Sequence, residues 1–232
     1  MKKYITFALI LSFNLLSWAQ ERTKYEMNVS DFIELKVASG INVDYLCCPD
    51  SAGMVVFLAF PDEASSIMLS STDEKLEIQL ATKENGSYKN LPTVTVYSSF
   101  LSKIENSGDS TLRILSIAPQ AKIKMRLIGN GRLTVHNIET SQLDASIATG
   151  HGIIVINGKT NGASLKTTGS GTIQADGLKA NNVRCSILGT GSIGCTAEES
   201  LSVMGAGSGT VYYQGDPAIK NRSVGIKTSK IE

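Results

Sequence analysis

The sequence predicts an all-β solenoid built from coils of roughly 20 residues, with an N-terminal β-rich segment or cap, and three observations carry that prediction. Gly-x-Gly pairs recur at Gly129/Gly131, Gly150/Gly152, Gly169/Gly171, Gly189/Gly191 and Gly207/Gly209, their second glycines 21, 19, 20 and 18 residues apart. Apolar residues on either side of each pair step by two. Successive copies superpose into columns, the first being Ile123, Leu143, Ala163, Val183 and Leu201. A period of two means a strand with one buried face, and a single copy cannot bury that face until it stacks on the next.

The chain opens with Met1-Lys2-Lys3, a largely apolar run from Tyr4 to Leu16, and Ser17-Trp18-Ala19. A charged start, a hydrophobic stretch and a small-x-small site make residues 1–19 a signal peptide. The apolar run is shorter than the roughly 20 residues that span a bilayer, so cleavage is expected rather than anchoring. The first cysteine is Cys47, too late for a lipid anchor at the cleavage site. After cleavage no transmembrane segment is expected, which places the chain in the periplasm, on the outer-membrane surface or outside the cell.

Residues 20–100 are less regular but strand-rich, with candidate strands at Phe32 to Val37, Met54 to Ala59, Leu76 to Leu80 and Thr93 to Tyr97. They are expected to pack on the solenoid as a cap or second β-layer, because open solenoid ends invite pairing with other chains. Residues 101–217 form the coils. The second column is Met125, Ala145, Leu165, Cys185 and Val203, and the third is Leu127, Ile147, Thr167, Ile187 and Gly205. Two columns follow each glycine pair: Leu133, Ile154, Ile173, Ile193, Val211, and Val135, Ile156, Ala175, Cys195, Tyr213. Each Gly-x-Gly then turns the chain from one strand to the next, where glycine tolerates positive φ. Asn130, His151, Ser170, Thr190 and Ser208 should form an outward polar ladder at those corners, and Asn106-Ser107-Gly108 reads as a weaker earlier copy. The glycine steps of 21 and 19 beside strand steps of 20 place one extra residue near Ala148 to Gly150, a local bulge. Gly215-Asp216-Pro217 ends the last regular coil, leaving residues 218–232 as a tail with a final strand at Val224-Gly225-Ile226.

Twenty-two Lys and Arg balance 21 Asp and Glu, and no run of basic residues breaks the mixture. That pattern lacks the concentrated positive face of a nucleic-acid binder. The glycine pairs are followed by renewed strand alternation, not by the helix a dinucleotide loop requires. Calcium-binding repeats of the G-G-x-G-x-D type need an aspartate that is missing after every pair, and no Cys/His spacing matches zinc. No cofactor or metal is expected.

Cys185 and Cys195 occupy inward columns as small hydrophobes. On opposing walls about 10 Å apart they would be out of disulfide reach, so free thiols are expected. Cys47 and Cys48 are adjacent and should point to opposite faces of a strand. His136 and His151 face outward, and a triad drawn through Asp144 and a nearby serine lacks the mutual geometry such a site needs. One outward column reads Lys124, Asp144, Ser164, Arg184 and Ser202, placing Asp144 and Arg184 two coils, about 10 Å, apart. Tyr212, Tyr97 and Phe100 are the candidate exposed aromatics. No catalytic residue is assigned.

Ser39-Gly40-Ile41-Asn42-Val43-Asp44, the Gly-x-Gly series, and the closing Gly209-Thr210-Val211-Tyr212-Tyr213-Gln214-Gly215-Asp216-Pro217 together resemble the bacterial head GIN domain family. The resemblance runs from about Phe32 to Ile226 and implies a right-handed β-helix-like fold and an adhesin-type role at the cell envelope or surface. The stretch after the repeats is too short for a membrane-inserted translocator barrel, so a complete autotransporter is not expected from this polypeptide. The expected function is a noncatalytic module that recognises a macromolecular ligand, a glycan or protein at a cell surface. The rival readings are a carbohydrate-active β-helix enzyme, lyase or hydrolase, and a structural component of an envelope assembly.

Overall fold

The computed structural model describes residues 21–82 and 91–231, so the expected signal peptide lies outside the described residues. The fold is nearly all-β, a solenoid of about six turns with coils of roughly 20 residues. The N-terminal strands are β1 (Thr23–Asn28), β2 (Glu34–Val37), β3 (Val43–Cys47), β4 (Met54–Ala59), β5 (Ile67–Thr72), β6 (Lys75–Leu80) and β7 (Val94–Ser98). The stack continues through β8 (Lys103–Asn106), β9 (Thr111–Ser116) and β10 (Gln120–Leu127). Four long strands follow, β11 (Arg132–Ile147), β12 (Ile153–Gly169), β13 (Thr172–Gly189) and β14 (Ser192–Gly207), then β15 (Thr210–Gln214), β16 (Ala218–Val224) and β17 (Lys227–Lys230).

The predicted columns are the ladder register. Ile123 pairs with Leu143, Leu143 with Ala163, Ala163 with Val183 and Val183 with Leu201, all in parallel. The columns of Met125, Leu127 and Leu133 run through the same ladders, and their apolar members are buried. Coils stacked about 4.8 Å apart therefore bury one continuous apolar core.

Each coil has three walls, where period-two reasoning resolved two. The first wall precedes the glycine pair and the second follows it. A short third wall comprises 138–140, 158–160 and 178–180. Long strands bend into the third wall at register shifts after Val135, Val155 and Ala175, where consecutive exposed residues such as His136 and Asn137 interrupt the inward alternation. These are bulges that turn a strand through a corner without ending its pairing.

The two glycines of each pair serve different needs. The first, at Gly129, Gly150, Gly169, Gly189 and Gly207, has φ between +86° and +136°. The second is buried against the preceding coil: a Cβ on Gly191 would stand 2.5 Å from the Gly171 carbonyl oxygen. Positive φ and close backbone approach are the two situations only glycine meets cheaply. The expected extra residue is there too, since Leu127 pairs with Ile147 twenty residues on, whereas Arg132 pairs with Ile153 twenty-one on.

Both ends differ from the sequence expectation. At the N-terminus β2 and β3 form a coil of the stack itself, inserted between β6/β7 on one side and β8/β9 on the other. Ser39-Gly40-Ile41-Asn42 is that coil's corner, and one column runs unbroken from Leu76 through Leu35, Ile104 and Met125. Antiparallel β4, β1 and β5 close the end. The β5–β6 hairpin turns on Asp73 and Glu74, both at positive φ, a two-residue turn whose twist suits the strands. At the C-terminus residues 218–230 are a further coil, not a tail: β16 pairs with β14 and β17 with β15. The expected strand at Val224-Gly225-Ile226 is this coil's corner, with Gly225 at φ +79°. Its inward columns turn polar at Asn221, Ser223, Thr228 and Lys230 because nothing stacks beyond them among the described residues. Lys220, Arg222, Lys227 and Lys230 charge this open edge, which discourages further strand pairing.

Candidate functional site

Strand alternation puts every second side chain of the first wall outward, and the stacking aligns those residues into rows. One row reads Glu34, Lys103, Lys124, Asp144, Ser164, Arg184, Ser202, Lys220, and its neighbour reads Lys36, Glu105, Arg126, Ser146, Lys166, Ser186, Met204, Arg222. Asp144 and Arg184 thus sit two ladder steps apart, as their spacing predicts.

The N-terminal layers compensate their charges, within β6 by Lys75 and Glu77 and otherwise across strands. Lys36 and Lys75 hold Glu77 at 2.8 and 3.0 Å, Lys103 holds Glu34 at 2.8 Å, and Arg113 grips Asp44 with two hydrogen bonds of 2.6 Å. The two lysines pull the Glu77 carboxyl below its ordinary range, and Asp44 raises the Arg113 guanidinium. Opposite charges stacked directly across a ladder stabilise it.

From β10 onward the first wall abandons that pattern. Its segments 120–127, 142–147, 162–168, 182–188, 200–206 and 218–224 carry seven cations, Lys122, Lys124, Arg126, Lys166, Arg184, Lys220 and Arg222, and one carboxylate, Asp144. Lys122 already holds Asp144 at 3.1 Å, and Arg126 lies 4.0 Å from Glu105. Lys124, Lys166, Arg184, Lys220 and Arg222 are exposed and have no ion-pair partner among the described residues. Lys124 even lies opposite Lys103 in the ladder. This charge segregation is invisible in a net charge of +1: acids collect elsewhere, at Glu139, Asp176, Glu198 and Glu199 on or beside the third wall.

Two adjoining hollows mark the first wall. A groove of about 500 Å³ is lined by Lys103, Glu105, Lys124, Arg126, Asp144, Ser146 and Lys166. A cleft of about 360 Å³ beside it is lined by Gln142, Ser164, Asn182, Arg184, Ser200 and Ser202, with Gly162 lowering its floor. A larger groove of about 630 Å³ follows the third wall between Gln120, Glu139, Lys159, Lys179 and Glu198. Glu139 and Glu198 there are three ladder steps apart, about 14 Å, beyond the roughly 5–9.5 Å of paired-carboxylate glycoside chemistry. We therefore take the first wall as the candidate site, despite its smaller hollows.

His151 is an exposed corner residue whose backbone N–H donates to Asn130 Oδ1 at 3.1 Å, and the Asn130 N–H donates to Asp109 Oδ1 at 3.2 Å, so the polar ladder stitches successive corners. His136 is exposed at the bend between the second and third walls, away from Asp144 on the first. Tyr212 and Phe100 are exposed and Tyr97 is half-buried. Cys185 and Cys195 are buried free thiols whose side chains point toward each other across the coil, their Sγ atoms 4.0 Å apart. The hydrogen bond between them, then burial, raises the Cys185 thiol well above its ordinary range. Cys47 and Cys48 are half-buried thiols. The described residues contain no cluster of three or more His, Cys, Asp or Glu able to hold a metal. No helix among them is long and apolar enough to cross a membrane.

A family model described as "Putative auto-transporter adhesin, head GIN domain" matches residues 31–217. Among solved structures, a "putative adhesin" from Bacteroides fragilis superposes with a TM-score of 0.83 at 22% identity, over 92% of this chain and 98% of that one. A "putative adhesin" from Parabacteroides merdae gives 0.75 at 18% identity, with the same coverage of each chain. A protein from Parabacteroides distasonis named "Putative lipid binding protein" gives 0.73 at 20% identity, again over 92% and 98%. At these identities the likeness speaks for the fold. No match was found among curated proteins.

Proposed function

The chain belongs to the head GIN domain family, and on that premise we propose that it is an exported, noncatalytic, adhesin-like module of the cell envelope or surface that recognises a macromolecular ligand, a glycan or a protein. One observation carries the reading: the first wall presents straight rows of cations, hydroxyls and amides along the solenoid, with adjoining hollows and no paired carboxylates. Such a face offers many weak, regularly spaced contacts to an extended partner. Glycoside hydrolysis would instead use two carboxyls flanking one bond. Export rests on the N-terminal segment of residues 1–19. The names given to the matched family and to two of the similar structures favour adhesion over catalysis.

The test is a binding screen of the purified protein against a glycan array and intact bacterial and host-cell surfaces, with polysaccharide turnover followed in parallel. Saturable binding without turnover is expected. Turnover lost on replacing a single carboxylate would overturn the reading, as would the absence of saturable binding to any surface.

A further inference from the structure

We infer that the first wall from β10 to β16 is a binding track for a linear anionic polysaccharide laid along the solenoid axis, with Lys124, Lys166, Arg184 and Arg222 as its anion contacts. The inference rests on the reading of the chain as a binding module and names the ligand class and the face.

Three observations carry it. First, these cations lack counter-ions among the described residues, whereas the N-terminal layers of the same wall pair theirs at 2.8–3.0 Å. Exposed like charges in one sheet face repel, so a surface selected only for solubility would intersperse signs, as the earlier layers do. Second, the ladder sets their spacing. Lys124 and Lys166 lie two steps apart, Lys166 and Arg184 one step, and Arg184 and Arg222 two steps. The four alternate between two rows about 6.6 Å apart, so at about 4.8 Å per step the gaps are about 8–12 Å, comparable to a Debye length of about 8–10 Å. The track therefore acts as one field over about 24 Å, and an extended chain bearing an anion on successive or alternate residues can meet every cation. Third, apart from Asp144, which Lys122 neutralises, and Met204, the rungs between the cations are hydroxyls and amides, Ser146, Ser164, Asn182, Ser186 and Ser202, which suit sugar hydroxyls.

The same face disfavours single-stranded nucleic acid. Single strands are held by aromatic stacking, and none of the six first-wall segments from β10 to β16 contains Phe, Tyr or Trp. A lipid surface would need a broad apolar patch, but here the exposed apolar residues are scattered: Met204 stands within a cation row, Ile219 between Lys220 and the preceding corner, and Leu188 and Val224 beside the rows.

The experiment titrates the purified protein with polygalacturonate (carboxylates), chondroitin sulfate (carboxylates and sulfates) and neutral dextran, with duplex DNA and anionic phospholipid vesicles as competing classes. Binding to at least one acidic polysaccharide is expected, weakening as salt is raised, with none to dextran; the two acidic probes separate carboxylate from sulfate preference. The double variant Lys166→Glu/Arg184→Glu should weaken binding by about tenfold or more, the loss of two charge contacts, with an unchanged melting temperature. Lys159→Glu/Lys179→Glu on the third wall should change it less than about twofold. Equal binding by the first-wall variant, or tighter binding to DNA or vesicles than to either acidic polysaccharide, would overturn the inference. Cell-surface binding that survives Lys166→Glu/Arg184→Glu would also sink it while leaving the module reading intact. A wild-type protein that binds no surface at all removes the module reading itself.

Discussion

Replacing Ile187 with Asp tests the register of the whole stack. Ile187 is 0% exposed, in the column between Thr167 and Gly205, and its Cγ2 packs where Gly209 leaves room. Emptying such a site costs about 2–5 kcal/mol. A carboxyl placed there has no cation to pair with, so the folded protein would hold it protonated. From an unperturbed value near 3.9, keeping the proton at pH 7 costs about 4 kcal/mol at about 1.36 kcal/mol per unit. Together these approach the roughly 5–15 kcal/mol that holds a typical domain folded, so the variant should be largely unfolded or barely stable at pH 7. The sign of its pH dependence is diagnostic. The folded-state pKa is raised, so the penalty vanishes below the unfolded pKa and grows as pH rises. At pH 5 it is only about 1.5 kcal/mol, and the variant's deficit should shrink by about 2.7 kcal/mol between pH 7 and pH 5. Urea unfolding of both proteins at the two pH values measures this, with outward Lys124→Ala as a control expected within about 0.5 kcal/mol of wild type. An unchanged midpoint at pH 7, or a deficit equal at both pH values, would refute the inward placement.

Three further outcomes follow from particular contacts. Cys185 and Cys195 are buried, and the raised Cys185 thiol stays protonated at neutral pH; alkylation of this pair should track global unfolding, and labelling as fast as that of half-buried Cys47 in the native protein would contradict the packing. Glu77 has a depressed carboxyl, so the stability it draws from Lys36 and Lys75 is complete above its ordinary value of 4.5 and is lost as pH falls through its folded value; Glu77→Gln should flatten the acid limb of a melting-temperature profile, and an unaltered profile would show the pairs to be idle. Gly189→Ala forces a side chain to φ +123° and brings its Cβ to 2.5 Å from the Gly169 carbonyl oxygen, whereas a Cβ on Gly40 meets nothing within 4 Å; thermal denaturation should show a clear loss for the first and little change for the second.

The functional reading depends on how the fold sorts charge. In the linear sequence Lys124, Lys166, Arg184 and Arg222 are separated by 42, 18 and 38 residues among acidic neighbours. Because the coils repeat near 20 residues, those intervals bring them onto one wall. Of the acids between them, Asp144 shares the wall and is held by Lys122, whereas Glu139, Asp176, Glu198 and Glu199 fall at other phases of the coil and turn to or beside the third wall. A basic face can therefore be assembled without any basic run, and a balanced composition is compatible with a concentrated positive surface. The rows were nevertheless legible in part: Lys124, Asp144, Ser164, Arg184 and Ser202 align on spacing alone, and only the neighbouring row and the sparseness of counter-ions needed the structure.

Local periodicity determined the coils, the inward columns, the corner glycines and the extra residue near Gly150, because strand alternation and the demand that each apolar face be covered are properties of neighbouring residues and a fixed repeat. Tertiary structure alone decided the rest. The β2–β3 coil lies between strands that come later in the chain, an insertion no local signal encodes. Val224-Gly225-Ile226 reads as a strand by composition but turns a corner, since β16 and β17 on either side find partners in β14 and β15. Cys185 and Cys195 face each other across one coil with their Sγ atoms 4.0 Å apart, and the cation track exists because stacking converts sequence phase into position on a wall. Long-range strand pairing sets each of these, and its energy is a property of the assembled ladder rather than of any segment within it.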